Sequence, residues 1–264
     1  MDRRQGSSFS LHLARRSGYT IRELVTFVPK QGKFLAHPLH FMKYQAEALS
    51  LLHHEIVIED PFKQSYANAM RYLKDRGIDV LVAGDIAEVC GFQNWLKGCI
   101  GSSGIELLTP LWHKDRKEIL ESFISSGFRA IFSCVKKPWF SSKWFGRKIC
   151  KNLLNELSDL SAKTGLDICG EQGEYHTLTL DGPVFKQSIE IEDYSRKEKD
   201  SILYLDVKKI NLKKKLVPSL SRQAQLAKPM ALELQVSPLE LQPSPLELQV
   251  SPLELQPSLR PTSR

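Results

Sequence analysis

Residues 79–83 read Asp-Val-Leu-Val-Ala, in which the continuous apolar run 80–83 is followed at once by Gly84 and Asp85. Such a run, bounded by a turn, is typical of a strand that is covered on both faces of a parallel sheet. Outward from it, strand-like segments at 21–28, 55–58, 79–83, 106–108 and 130–134 alternate with helix-like segments at 8–16, 38–52, 62–76, 114–126 and 146–163. This alternation indicates βαβ units. The sequence therefore predicts an α/β fold with a mainly parallel sheet.

The C-terminal third has a different pattern. Beyond residue 169 the strand-like segments 177–180, 184–191 and 202–210 follow one another, which predicts a β-rich cap. From Leu232 the sequence repeats a Leu-Glu-Leu-Gln heptad four times, and a proline in each copy excludes a coiled coil. We expect a parallel-sheet region at 1–168, a β-rich region at 169–212 and a disordered low-complexity tail at 213–264. A Pro-rich docking segment is the alternative for the repeats.

A disordered tail buries too little apolar surface to offset the entropy lost on ordering it. Deletion of residues 216–264 is therefore expected to leave the melting temperature almost unchanged.

Composition narrows the class of protein. The chain has 264 residues, of which 42% are hydrophobic and 25% are charged, as in soluble globular proteins. Its apolar runs, such as 78–83, are much shorter than the roughly 20 residues that span a bilayer. No secretion signal is expected, since the chain opens Met-Asp-Arg-Arg. Five cysteines without a Cys-x-x-Cys pair favour a reducing compartment. We expect a cytoplasmic protein without a membrane partner.

The net charge of +7 is spread along the chain. Residues 213–264 hold seven basic and four acidic residues and carry +3, so the remaining 30 basic and 26 acidic residues carry +4. That balance suits a phosphate-bearing ligand, whereas nucleic-acid binding would need the charge on one face. No direct nucleic-acid partner is expected.

The densest group of chemically active residues is Cys-Gly-Glu-Gln-Gly-Glu-Tyr-His-Thr at 169–177, called here the signature segment. It follows a strand-like stretch, and ligands of parallel sheets bind at the carboxyl ends of the strands. Two carboxylates, an imidazole and a phenol could bind a cationic group, hold Mg²⁺ or move protons. A polar hairpin with solvated side chains is the alternative. If these carboxylates serve chemistry more than folding, Glu174→Gln, as a substitution of an exposed residue, should change stability by no more than about 0.5 kcal/mol while abolishing activity.

Two further segments suit a nucleotide. Asp85, directly after a strand and Gly84, could bind a magnesium ion or a ribose, or could cap the next helix. Gly6, Ser7 and Ser8 precede the first helix-like segment, where backbone N–H groups can hold a phosphate. No Walker-type glycine motif supports the second site.

Together these segments resemble the diphthine–ammonia ligase family, within the adenine-nucleotide alpha-hydrolase-like (PP-loop) ATPases. The signature segment is similar to the family's E-G-G-E-Y-H/E-T. Further similar segments, in the same order as in the family, are Ala-His-Pro-Leu at 36–39, Gln-Ala-Glu-Ala-Leu at 45–49, Ala-Gly-Asp-Ile at 83–86 and Pro-Leu-Trp at 110–112. Residues 7–19 resemble the helix after the family's pyrophosphate loop. The resemblance covers about residues 7–210.

The resemblance implies a Rossmann-like (HUP-type) nucleotide-binding domain at 1–168 and a carbon–nitrogen ligase activity. Diphthine on translation elongation factor two would be amidated to diphthamide, with ammonia as the nitrogen donor and ATP and Mg²⁺ as cofactors. ATP would transfer AMP to the carboxylate and release pyrophosphate, because hydroxide is a poor leaving group. The implied roles are catalysis by Glu171, Glu174 and His176, substrate binding by Gly173, Tyr175 and Thr177, and nucleotide binding by Ser7, Ser8, Gly84 and Asp85. No metal site made of protein side chains is implied.

The sequence departs from the family in two places, a loop and a single residue. The pyrophosphate loop of the family, S-G-G-K-D-S, corresponds to residues 2–7, where only the last serine is retained and Gln5 and Gly6 replace the lysine and the aspartate. The strand before that loop has no counterpart here, so ATP binding is expected to be weak. Grafting such a strand and loop in place of residues 1–7 is expected to raise ATP affinity at least about tenfold. The second departure is Gln172, where the family has glycine. If the backbone at this position needed a positive φ, glutamine would destabilise the turn by about 1 kcal/mol.

These departures leave two other functions open. One is a catalytically impaired or truncated relative that keeps the fold but does not use ATP. The other is a PP-loop amidotransferase that acts on a different carboxylate.

Overall fold

The structure is a computed structural model that describes residues 4–30, 37–88, 95–101, 103–215 and 229–234. Its helices are α1 (Arg4–Arg16), α2 (Leu39–Leu49), α3 (Phe62–Asp75), α4 (Trp95–Ile100), α5 (Arg116–Ser125) and α6 (Lys151–Thr164), with a 3-10 turn at Ser142–Trp144. Its strands are β1 (Thr20–Pro29), β2 (Leu52–Ile58), β3 (Val80–Val82), β4 (Glu106–Leu108), β5 (Arg129–Lys136), β6 (Tyr175–Asp181), β7 (Gln187–Lys199), β8 (Ile202–Lys214) and β9 (Pro229–Leu234).

The first sheet has the strand order β2-β1-β9-β3-β4, and all of its strand pairs are parallel. Alternate side chains of its buried strands enter different cores: Val80 and Val82 lie in one, and Leu81 and Ala83 in the other. Both faces are therefore covered, which is why β3 is apolar throughout. The predicted α/β fold with a parallel sheet is confirmed.

The centre of this sheet is occupied by β9, which comes from the segment expected to be a disordered tail. It pairs with β1 on one side and with β3 on the other. For residues 229–234 the expectation was wrong, because two buried strands that do not pair with each other both need hydrogen-bond partners. The rest of residues 216–264 lies outside the described ranges.

Proline placement explains why the first repeat provides the strand. Pro229 is the first residue of β9, a position where the missing N–H is tolerated. Ala231 pairs with β1 and β3, whereas the three later repeats have a proline immediately before their first leucine, at the corresponding position. A proline there would remove a backbone donor in the middle of the sheet.

The second sheet is antiparallel, with the order β6-β5-β8-β7. It confirms the C-terminal β-rich cap, but it also contains β5, which the alternation of strands and helices had assigned to the parallel sheet. That assignment was wrong because β5 is buried along 130–135. A central strand covered on both faces has the same continuous apolar pattern in either kind of sheet. A boundary at residue 168 stays a prediction.

Helices α1 and α2 lie between the two sheets. α1 contacts β1, β3 and β9 on one side and β6 on the other, while α2 contacts β2, β7 and β8. Helices α3 and α4 pack together against the opposite face of the parallel sheet. This arrangement brings the start of α1 to the strand that follows the signature segment.

Several boundaries differ from the expected ones for local reasons. α2 ends at Leu49 because Ser50 is left-handed, with φ 55°. α6 begins at Lys151 and not near Gly146, whose φ of 65° places it in a turn. Helix α4 was not expected from the sequence. None of the described helices has the length and apolar character needed to cross a membrane.

Candidate active site

The N-terminal end of α1 lies against the carboxyl end of β3. A Cβ atom added to Gly6 would be 2.7 Å from the carbonyl oxygen of Gly84, and one added to Gly84 would overlap the backbone nitrogen of Ser7. The two backbones approach this closely only because both positions are glycine. Three of the residues expected to bind nucleotide, Ser7, Ser8 and Gly84, are therefore brought together, with both serines buried.

Gln5 connects α1 to the signature segment. Its side chain is buried, and its Nε2 donates to the carbonyl oxygen of Cys169 at 3.0 Å and to the Tyr175 hydroxyl at 3.3 Å. Its Oε1 accepts from the hydroxyl of Thr177 at 3.4 Å. The residue that stands where the family has a lysine is thus hydrogen-bonded to the signature segment.

Glu174 holds the signature segment in its turn. Its carboxylate is 2% exposed, and its two oxygens accept from the backbone N–H groups of Asp167 at 3.0 Å and Gln172 at 2.9 Å. Two charge-assisted bonds to backbone donors are typical of a carboxylate that fixes a loop. The expectation of an exposed Glu174 was wrong, because the turn folds around this side chain.

A second buried carboxylate, Glu171, lies three residues before Glu174 in the same segment, and 1% of its surface is exposed. A cation on α5 also belongs to this turn: Arg116 donates to Asp167 at 2.7 Å. Burial opposes the charge of Arg116, but the hydrogen bond and charge of Asp167, together with the charge of Glu171, raise the pKa of Arg116. Arg116 and Asp167 were not expected as site residues, because they lie outside the signature segment and match no motif.

Tyr175 is an interior residue. It is 3% exposed, and its ring packs against Phe132 and Phe140 at centroid distances of 4.6 and 5.8 Å. Its hydroxyl donates to the carbonyl oxygen of Ile168 at 2.5 Å. Burial raises the pKa of Tyr175 well above its usual range, so the phenol stays protonated. Tyr175 therefore positions its neighbours and is unsuited to act as a base.

Two histidines lie at the start of β6. The rings of His37 and His176 meet edge to face with centroids 5.0 Å apart, and His37 Nε2 lies 3.1 Å from the carbonyl oxygen of Thr177. His37 is 1% exposed. In the sequence His37 is only part of the Ala-His-Pro-Leu segment at 36–39, with Pro38 directly before α2; its contact with β6 has no local signal.

The remaining predicted positions show how the turn is built. Gly170 and Gly173 have φ of 75° and 85°, whereas Gln172 is not among the described residues with positive φ. The glutamine therefore causes no backbone strain. Asp85 is half-buried next to Gly84. Within the described ranges no three His, Cys, Asp or Glu side chains form a metal-binding group.

The chain is an α/β protein with a parallel sheet covered on both faces. The start of α1 meets both the carboxyl end of β3 and the buried acidic turn, and proteins with such sheets bind ligands at their strand ends. Residues 115–213 match the family described as the Diphthamide synthase C-terminal domain. These residues are therefore similar to that domain, and the resemblance to the diphthine–ammonia ligase family is confirmed.

Curated relatives agree with the family match. The chain is 35% identical over 128 residues to the diphthine–ammonia ligase of Schizosaccharomyces pombe, a match that covers 44% of this chain and 21% of that protein. It is 41% identical over 91 residues to the enzyme of Danio rerio, covering 33% and 34% of the two chains. The chain thus spans about a fifth to a third of these two relatives.

A solved structure described as a predicted subunit of tRNA methyltransferase from Methanocaldococcus jannaschii aligns with a TM-score of 0.36 and 14% identity, covering 68% of this chain and 93% of that one. A likeness of this degree supports no statement about function.

Proposed function

We propose that this chain acts in diphthamide synthesis as a diphthine–ammonia ligase, which amidates diphthine on translation elongation factor two. The observation that carries the proposal is the buried signature segment, which lies inside the family match at 115–213 and packs against the start of α1 through Gln5. ATP would supply the AMP that turns the carboxylate oxygen into a leaving group, and Mg²⁺ would neutralise its phosphates.

The start of α1 provides features that suit a phosphate. α1 has no acidic residue in its first turn. Ser7 and Ser8 were expected just before the helix, but α1 begins at Arg4, so they are its fourth and fifth residues. Backbone N–H groups at a helix start attract anions. We assign phosphate binding to Ser7 and Ser8, with Gly84 allowing the close approach of the two segments and Asp85 next to the nucleotide or its Mg²⁺.

The signature segment would provide the acceptor side of the reaction. Glu174 fixes the turn, which leaves Glu171 as the carboxylate that would face the cationic trimethylammonium group of diphthine. His176, next to His37, would orient the carboxylate or the attacking ammonia. Gly173, Tyr175 and Thr177 would keep the turn in place for the substrate.

One observation favours a second candidate, a relative that keeps the fold without using ATP. Gln5 replaces the lysine of the family, and its amide is committed to Cys169, Tyr175 and Thr177. A phosphate site without that positive charge should bind ATP weakly. The two candidates differ in whether the chain turns over ATP when diphthine is present.

The test is complementation of a cell that lacks diphthamide, scored by toxin-catalysed ADP-ribosylation of elongation factor two. The ligase function predicts restored ADP-ribosylation with the intact chain and loss with Glu171→Gln. A well-expressed, folded chain that restores no ADP-ribosylation, and releases no AMP in vitro from ATP, ammonia and diphthine-bearing factor, would favour the second candidate.

A further inference from the structure

A basic loop lies directly beside the signature segment. Residues 136–151 contain six lysines or arginines and no acidic residue. The backbone N–H of Lys136 donates to the carbonyl oxygen of Glu174 at 2.9 Å, so the loop begins one hydrogen bond from the signature segment. Any protein that brings a side chain to the signature segment would approach this loop.

The loop is held in a defined shape. Gly146 and Ile149 donate backbone hydrogen bonds to the carbonyl oxygens of Phe132 and Ala130, which fastens the end of the loop to β5. Phe140 and Trp144 pack edge to face at 4.9 Å beside Tyr175. The positive charges are thus carried on a rigid support, which reduces the entropy lost on binding.

Four exposed lysines give the loop its unbalanced charge. Lys137 pairs with Glu198 at 2.7 Å, and Arg147 makes a two-pronged pair with Glu156. By contrast Lys136, Lys143, Lys148 and Lys151 have no ion-pair partner among the described residues, and all four are exposed. Their ammonium groups are available to an acidic ligand.

The aromatic residues of the loop favour a protein ligand over a nucleic acid. The guanidinium of Arg147 lies 4.7 Å from the centroid of Trp144, and the ammonium of Lys136 lies 5.9 Å from that of Trp139. Since cations of the same chain already lie over one face of each ring, less aromatic surface is left for bases to stack on. What the loop offers to a ligand is charge, which suits carboxylates on a protein surface.

We propose that the basic loop is the docking surface for the protein substrate, and that it binds an acidic patch next to the side chain to be amidated. This inference rests on the proposed ligase function. It adds a surface by which the chain would recognise its protein substrate.

The test compares two full-length double variants with the intact chain. Lys143→Glu/Lys148→Glu alters the loop, and Lys63→Glu/Lys163→Glu, at exposed positions on α3 and α6 without ion pairs among the described residues, lowers the net charge equally. We expect the loop variant to raise the Kd for diphthine-bearing elongation factor two at least about tenfold, and the control to stay within about twofold. The KM for the protein should rise while the KM for ATP stays unchanged.

Equal binding of the factor by the loop variant and the control would overturn the docking surface while leaving the ligase function intact. Loss of binding to a single-stranded oligouridylate with unchanged binding to the factor would assign the loop to nucleic acid and also overturn it. If the intact chain binds the factor through these lysines but does not amidate it, docking is upheld and the ligase function fails. If the intact chain neither binds nor amidates the factor, both fall.

Discussion

Glu174→Gln is the most direct test of how the signature segment is held. The substitution keeps the size of the side chain but replaces one acceptor oxygen with an NH₂ group. Because both carboxylate oxygens accept from backbone N–H groups, the amide would face one of these donors with a donor of its own. Leaving a buried donor without an acceptor costs about 1–3 kcal/mol. We expect a loss of about 2 kcal/mol in the free energy of unfolding.

The loss can be measured by urea unfolding and by calorimetric melting. For a domain of 150–250 residues, about 2 kcal/mol corresponds to a decrease in melting temperature of about 4–8 °C. Glu121→Gln is the matched control, since Glu121 is exposed on α5 and its only described ion pair, with Lys117, spans 4.0 Å. The control should stay within about 0.5 kcal/mol of the intact chain. A Glu174→Gln protein as stable as this control would refute the role of Glu174 in holding the turn.

Three further outcomes are expected. Truncation after Lys215 should lower the melting temperature by several degrees because it removes β9, whereas truncation after Ser237 keeps β9 and should change it little; equal melting of the two proteins would refute the central strand. Gly84→Ala should destabilise the protein by about 1–3 kcal/mol in urea unfolding because its Cβ overlaps α1, while Gly98→Ala, with open space around it, should not. Hydrogen bonds from two lysines lower the pKa of Asp206 from 3.8 to about 2, so its stabilising effect should be present above about pH 4 and be lost as the pH falls towards 2; Asp206→Asn should flatten this part of the pH–stability curve.

The parts of the fold that depend on local patterns of apolar residues could be predicted from the sequence. Alternating apolar segments indicated the parallel sheet and its helices, and the change of pattern after residue 169 indicated the cap. The position of β5 could not be predicted, because a continuous apolar strand fits either kind of sheet. The role of β9 was hidden by low-complexity sequence, although 230–237, which includes the start of the first repeat, is the longest proline-free run after Pro229.

The site could be predicted as a set of positions but not as a set of roles. The sequence identified the signature segment, Gly84 and the start of α1, and the structure brings them together. No feature of the sequence indicates that Glu174 points inward, since a Gly-rich acidic turn has the same residue pattern whether its carboxylates face solvent or backbone donors. His37, Arg116 and Asp167 join the site through tertiary contacts that no local pattern carries.

The two carboxylates of the signature segment therefore have different roles, although both are glutamates. Glu174 uses both oxygens on the backbone of its own turn, so its removal should alter shape before it alters chemistry. Glu171, equally buried, adds its charge to the pair formed by Arg116 and Asp167. A substitution of Glu171 should change the binding of a charged substrate, while the turn, held by Glu174, keeps its shape. Stability measurements on the first residue and substrate binding on the second thus report on separate properties of one nine-residue segment.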